Sequence, residues 1–185
     1  MAETLLTSEV FVKAATNISD NIAGKFILPS IREAQEAGLR SVIGDCLLNT
    51  LKALVADHTI DAPENVNYKN LLERSKYYLA YMTVVDLLPK VTWKVGNFGV
   101  VKSSDENLQV APQAEVAKQQ FYYQAKADGC CRDLQRWLLR NRSLFPELTD
   151  CDCAAMQANL RSSATCGVWL GGPRGRKLPE GGGCC

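Results

Sequence analysis

The spacing of apolar residues along the chain predicts four helices. Ser19 would cap the first, and its apolar residues recur at intervals of three to five positions as far as Gly38. Pro29 lies inside this stretch and would kink the helix or mark a restart. The second helix begins near Ser41, and a turn-rich loop over about His58–Asn67 follows it.

The third helix, from about Tyr68 to Leu88, carries apolar residues on two faces. Such a helix belongs at the centre of a bundle, because neighbours must cover both faces. Pro89 would end or kink it. Pro112 fits the first position of a long fourth helix that ends near Asn141. The two apolar stripes of the third helix are Leu71, Leu72, Leu79, Met82 and Val85, and Tyr77, Tyr81, Val84 and Leu88.

Between the third and fourth helices lie two β-prone runs, Thr92–Val95 and Gly99–Lys102. They predict a β-hairpin or an extended loop at about residues 92–102. The fold class is therefore predicted to be mainly α: a four-helix bundle-like body, residues 1–148, with this one hairpin or loop. Residues 149–185 are rich in cysteine, glycine and basic residues, and predict an extended C-terminal arm without a core of its own.

Composition adds little to this picture but excludes some partners. The chain has 185 residues, 46% of them hydrophobic and 22% charged, which is enough apolar material for a core. A net charge of +1 gives no strong field toward nucleic acid or membrane. Glu3 stands where a signal peptide would be basic, and no apolar run is long enough for a membrane span. We therefore expect a cytoplasmic protein with no membrane partner.

Signatures of catalysis are missing from the sequence. There is no HExxH helix, no GxSxG elbow, and the glycines and lysine of Gly171–Lys177 have the wrong spacing for a phosphate-binding loop. His58 is the single histidine and falls in a predicted loop, so a histidine relay or a multi-histidine metal site is not expected. The sequence predicts neither an enzyme nor a resident cofactor.

The C-terminal arm offers the one chemical alternative. Its cysteines could supply four thiolates to zinc, yet their spacing matches no common zinc finger, and free thiols remain the other interpretation. Basic residues of the same arm could contact phosphates or an acidic groove of a protein. The alternative function is thus a small zinc- or nucleic-acid-binding accessory protein. The candidate zinc ligands are Cys151, Cys153, Cys166 and Cys184.

Candidate partner-binding residues occur on the predicted extended segments. Aromatic side chains that lie away from the bundle are typical anchors of protein–protein contacts, although they can equally fold back onto the core. Both interpretations stay open from sequence alone. The candidates are Trp93, Phe98 and Val100 in the hairpin or loop, and Trp169, Arg174, Arg176 and Lys177 in the arm.

Several segments, spread over most of the chain from about residue 17, carry a resemblance. They are Ile27–Gln35 with Leu39 and Val42–Gly44, Tyr78–Tyr81, Gly96–Val101 with Ser103–Asn107, Ser143–Glu147, and Cys166–Gly172. Together they resemble a family from phages and prophages of Bacteroides-type bacteria. That family is in turn similar to the helical head–tail connectors of tailed phages, which are also named adaptors or ring proteins.

This resemblance implies a structural role in the virion neck for a protein made in the host cytoplasm. The expected subunit docks beneath the portal protein, and about a dozen copies close a ring around the DNA channel. Its other partner would be the next neck or tail ring protein, with passing contact to genomic DNA. Connectors have no catalytic residues, so the resemblance assigns none here.

Overall fold

A computed structural model describes residues 4–96, 99–102 and 112–148, and the chain in these ranges is mainly α-helical, as predicted. A π-helical segment, Ala34–Leu39, joins α2 to α3, and short 3₁₀ turns lie at Pro63–Asn65, Arg142–Leu144 and Pro146–Leu148. Strands β1, Trp93–Gly96, and β2, Gly99–Lys102, pair antiparallel. The α-helices are α1 Glu9–Ala15, α2 Gly24–Glu33, α3 Arg40–Ile43, α4 Asp45–Ala56, α5 Val66–Thr92 and α6 Gln113–Arg140.

The central element is α5, which packs against α1, α2 and α6. Its first half joins a large apolar cluster with α3, α4 and α6, and its second half joins a smaller cluster with α1 and α2. Two hydroxyl groups are buried in this helix, and each donates to a carbonyl one turn earlier: Ser75 to Leu71 at 2.8 Å, and Thr83 to Leu79 at 2.7 Å. Because both are satisfied locally, α5 is buried on several sides without orphaned polar groups.

The helices α5 and α6 run antiparallel. Near the start of α6, the Gln120 side-chain amide donates to the Val85 carbonyl in the second half of α5 at 3.2 Å. At the other end, the Tyr68 hydroxyl in the first turn of α5 donates to the Glu147 carboxylate, beyond the end of α6, at 2.9 Å. Burial and this hydrogen bond raise the pKa of Tyr68 to about 12.

The raised pKa of Tyr68 makes stability dependent on alkaline pH. The stabilisation that neutral Tyr68 contributes to the folded state is fully present below the ordinary tyrosine pKa of 10.0. It is lost as pH rises toward 12, because Tyr68 ionises at a lower pH in the unfolded chain than in the folded one. We expect Tyr68→Phe to cost about 1–2 kcal/mol at pH 7. Urea titrations at neutral pH and between pH 9 and 11.5 should show the difference between the two proteins shrinking. A constant difference would contradict this role of Tyr68.

The first predicted helix does not end at Gly38. The helical path continues through the π segment and α3 to Gly44, where φ is 84°, a conformation that only glycine adopts without strain. Gly38 instead permits close packing, since a Cβ there would lie 2.9 Å from the Tyr78 hydroxyl oxygen. For the same reason the predicted start near Ser41 is wrong, and α4 begins at Asp45.

The N-terminal region departs most from the prediction. The sequence reading missed α1, which Ser8 caps by accepting a hydrogen bond from the Phe11 amide at 3.2 Å. Val12 anchors this helix and is fully buried. Ser19, predicted to cap the first helix, caps only a turn through the Asn21 amide, and α2 starts after that turn.

The prolines interrupt the helices less than expected. Pro29 lies inside α2 without ending it, and α5 continues past Pro89 to Thr92. Pro112 does mark the start of α6, as the residue that precedes its first turn, and α6 ends one residue before the predicted Asn141. Among the residues described, no helix combines the length and the apolar composition that crossing a membrane would need.

Candidate interaction surface

An open groove with a volume of about 530 Å³ lies between the end of α1 and the first half of α6. This volume is in the range of sites that hold a small ligand or a few side chains of a partner. We call it the tyrosine groove. Its lining residues are Ala14, Ala15, Thr16 and Asn17 on one wall and Gln119, Tyr122, Tyr123 and Lys126 on the other.

The spacing of residues along α6 determines which of its side chains face the groove. Tyr122 and Lys126 are one turn apart and both are exposed, whereas Tyr123, on the neighbouring face, is buried against the core. The Tyr123 hydroxyl accepts a hydrogen bond from the Asn17 backbone amide at 3.2 Å. This bond joins the segment after α1 to α6 and so fixes the width of the groove.

The ammonium group of Lys126 lies over three tyrosine rings. It is 4.5 Å from the centroid of Tyr122, 5.3 Å from that of Tyr81 on α5, and 5.9 Å from that of Tyr123. A cation at such distances is attracted by the negative ring faces. A hydrogen bond with the Tyr122 hydroxyl raises the pKa of Lys126 above its ordinary value, so the charge is retained at neutral pH.

The chemistry of the tyrosine groove is that of a donor-rich, positively charged site. Lys126 supplies an ammonium group, Gln119 an amide, and Tyr122 and Tyr123 hydroxyls, while no lining residue is a carboxylate. Since the Tyr123 hydroxyl already accepts from Asn17, its own proton is available for another acceptor. The faces of the tyrosine rings can pack against apolar groups of a ligand or partner. The groove therefore suits a carboxylate carried on an apolar segment.

Large apolar side chains are exposed on the helices that form the tyrosine groove and on α5. Phe121, next to Tyr122 on α6, is 76% exposed, and Val10 on α1 is also 76% exposed. Tyr77, one turn before Tyr81 on α5, is half exposed and contacts the Phe11 ring edge-on at 5.4 Å. Exposed apolar groups mark contact surfaces in many proteins when they form a contiguous patch.

Comparison with known families assigns the chain to one of them. Residues 39–157, more than half of it, match Family of unknown function (DUF6712). The chain belongs to this family. The DUF6712 match contains α4, α5 and α6, and hence the wall of the tyrosine groove that carries Lys126, while α1 lies outside it. No curated protein and no solved structure matches the chain.

The partner-binding residues predicted from sequence are a different set from the groove. Trp93 begins β1, and Val100 lies in β2 opposite Val95. Phe98, and the arm candidates of this DUF6712 chain, lie outside the described residues. Those arm candidates are Trp169, Arg174, Arg176 and Lys177.

The candidate zinc ligands Cys151, Cys153, Cys166 and Cys184 also lie outside the described residues. In the described part of the chain the cysteines are free thiols, and no group of three or more histidine, cysteine or acidic side chains is arranged to hold a metal. Burial raises the pKa of the Cys130 thiol, which lowers its reactivity. Among these cysteines Cys131 is buried, while Cys46 and Cys130 are partly buried.

Sequence reasoning missed the tyrosine groove. The available signal was local: two adjacent tyrosines with a lysine one helical turn later. The contributions of Asn17 and Tyr81 depend on how the helices pack, and no sequence pattern links them to α6.

Proposed function

We propose that the protein is a structural subunit of a tailed-phage virion, a head–tail connector that forms a ring beneath the portal and around the DNA channel. It acts by assembling. Its partners are further copies of itself, the portal protein, and the next neck or tail ring protein. Its place is the virion neck, where the ring would make passing contact with genomic DNA.

The observation that carries the proposal is the surface around the tyrosine groove. The two helices that form this open, positively charged groove also expose large apolar side chains, Phe121 on α6 and Val10 on α1, by 76% each. Exposing such side chains to water is unfavourable unless a partner covers them. A subunit of a ring has this requirement, since each copy must present contact surfaces to its neighbours.

The resemblance to phage connectors supports the same conclusion through residues that build the core. The resembling segment Ile27–Gln35 includes Ile27, Ile31 and Gln35, all fully buried. Gln35 accepts a hydrogen bond from the Leu6 amide at 2.9 Å and so holds the N-terminal segment on the bundle. The likeness therefore concerns residues that determine the helical body as well as surface residues.

The test is assembly of the full chain, alone and with the portal protein encoded by the same phage genome. Mass photometry and electron microscopy should show a ring of about a dozen copies, formed on its own or on the portal. Quantitative mass spectrometry of purified virions should find the chain in an amount close to that of the portal. A chain that stays monomeric under both conditions and is absent from virions would refute the proposal.

A further inference from the structure

The loop between α4 and α5, residues 57–65, is acidic and exposed; we call it the acidic loop. Asp61 pairs with Lys69 at 2.8 Å. Asp57 and Glu64 are exposed, and neither has an ion-pair partner among the described residues. The Asn65 side-chain amide donates to the Thr59 carbonyl at 2.9 Å, which holds the loop in a defined shape.

The tyrosine groove has the opposite charge and the same lack of a partner. Within the described chain, Lys126 contacts tyrosine rings and the Tyr122 hydroxyl but no carboxylate. Lys13, on the neighbouring helix, already pairs with Glu9 at 2.6 Å. Asp128, two residues further along α6, accepts a hydrogen bond from Gln124 at 2.9 Å. The ammonium group of Lys126 is thus the positive charge of the groove that remains available to a carboxylate.

The apolar parts of the two surfaces also match. Ile60 is partly buried, Pro63 is exposed, and Val66, directly after the acidic loop, is half exposed. These side chains lie in the acidic loop or directly after it, and are therefore close in sequence to Asp57 and Glu64. The groove offers Ala14 and tyrosine rings around Lys126, so a carboxylate on an apolar segment meets a cation set among apolar surfaces.

The two surfaces cannot meet within one chain. The acidic loop precedes the first turn of α5, whereas the groove lies beside Tyr81, fifteen residues along the same rigid helix, a distance of about 22 Å. A contact between them requires two copies. Because the two surfaces are different, a pair of copies joined by one such contact still has one unoccupied loop and one unoccupied groove. Further copies can bind there, so the assembly either closes into a ring or extends as a filament.

We propose that the tyrosine groove of one copy binds the acidic loop of the next copy, with Lys126 facing Asp57 and Glu64. This rests on the proposed function and specifies the contact by which the ring forms. Charge pairs in such contacts set the register between subunits and disfavour wrong pairings.

The experiment reverses the charges of the contact residues in the full-length chain. Lys126→Glu and the loop variant Asp57→Lys/Glu64→Lys should each raise the concentration for half-assembly at least about tenfold, measured by mass photometry. A chain with both sets of substitutions should assemble within about threefold of the wild type, because the reversed charges again attract. Matched controls are Lys118→Glu, exposed on α6 outside the groove, and Asp133→Lys, which should both assemble normally.

The outcomes separate this contact from the ring itself. Circular dichroism establishes that every variant is folded. If the wild type forms rings and both reversed variants do so equally well, the inference is overturned and the ring proposal stands. If Lys126→Glu prevents binding to the portal but not self-assembly, the groove binds the portal and the inference is again overturned. A wild-type chain that never assembles overturns the proposed function together with this contact.

Discussion

Replacing Phe145 by alanine should lower the free energy of unfolding by about 3–5 kcal/mol. Phe145 is fully buried beyond the end of α6. Its ring meets Tyr68 edge-on at 5.5 Å and Trp137 at 5.7 Å, so it joins the first turn of α5 to the last turns of α6. Truncation removes these contacts and leaves a cavity that the two rigid rings of Tyr68 and Trp137 cannot easily fill.

The matched control for Phe145 is its neighbour Leu144, which is 42% exposed. Leu144→Ala should change the free energy of unfolding by less than about 1 kcal/mol. Urea unfolding followed by far-ultraviolet circular dichroism measures both, and avoids the fluorescence of Trp137, which Phe145→Ala itself would alter. Equal losses for the two variants would mean that Phe145 does not fasten this end of the bundle.

Leu79→Ala should cost about 2–5 kcal/mol, the second of the large effects. Leu79 is fully buried in the middle of α5 and belongs to the large apolar cluster that α4 and α6 share. A cavity there lies between several elements, and the hydrogen bond from Thr83 to its carbonyl further restricts local adjustment. Urea unfolding at neutral pH measures the loss.

Met82 supplies the comparison for Leu79 on the same helix. Sequence reasoning assigned both residues to one stripe, but Met82 is only partly buried and packs at the margin of the cluster. Met82→Ala should therefore cost clearly less than Leu79→Ala, about 1–2 kcal/mol. A negligible loss from Leu79→Ala would mean that α5 is not the centre of the bundle.

The long helices were predictable because their apolar spacing is dense and sustained. The stripes of α5 include Leu71 and Leu79, which are buried, and Pro112 marks the start of α6. The helix boundaries near the glycines were not predictable, since glycine has two different structural roles here. Gly38 permits contact with Tyr78, while Gly44 adopts a positive φ, and only the folded structure distinguishes them.

The candidate site was less accessible to sequence reasoning than the fold. The anchors proposed from sequence, such as Trp93, follow the general tendency of aromatic residues to mediate contacts, which does not specify a location. The tyrosine groove depends on residues from three separate parts of the chain, represented by Asn17, Tyr81 and Lys126. The periodicity of apolar residues shows which side of α6 is exposed to solvent. It does not show that the end of α1 approaches that side.

The two apolar clusters along α5 differ greatly in size, and the difference divides the molecule into unequal cooperative units. The cluster around Leu79 and Phe145 contains many more buried side chains than the cluster around Val12 and Leu87. Detaching α1 and α2 from α5 therefore requires less free energy than unfolding the whole chain. One wall of the tyrosine groove belongs to α1 and the segment after it, so detachment of that helix would also take the groove apart.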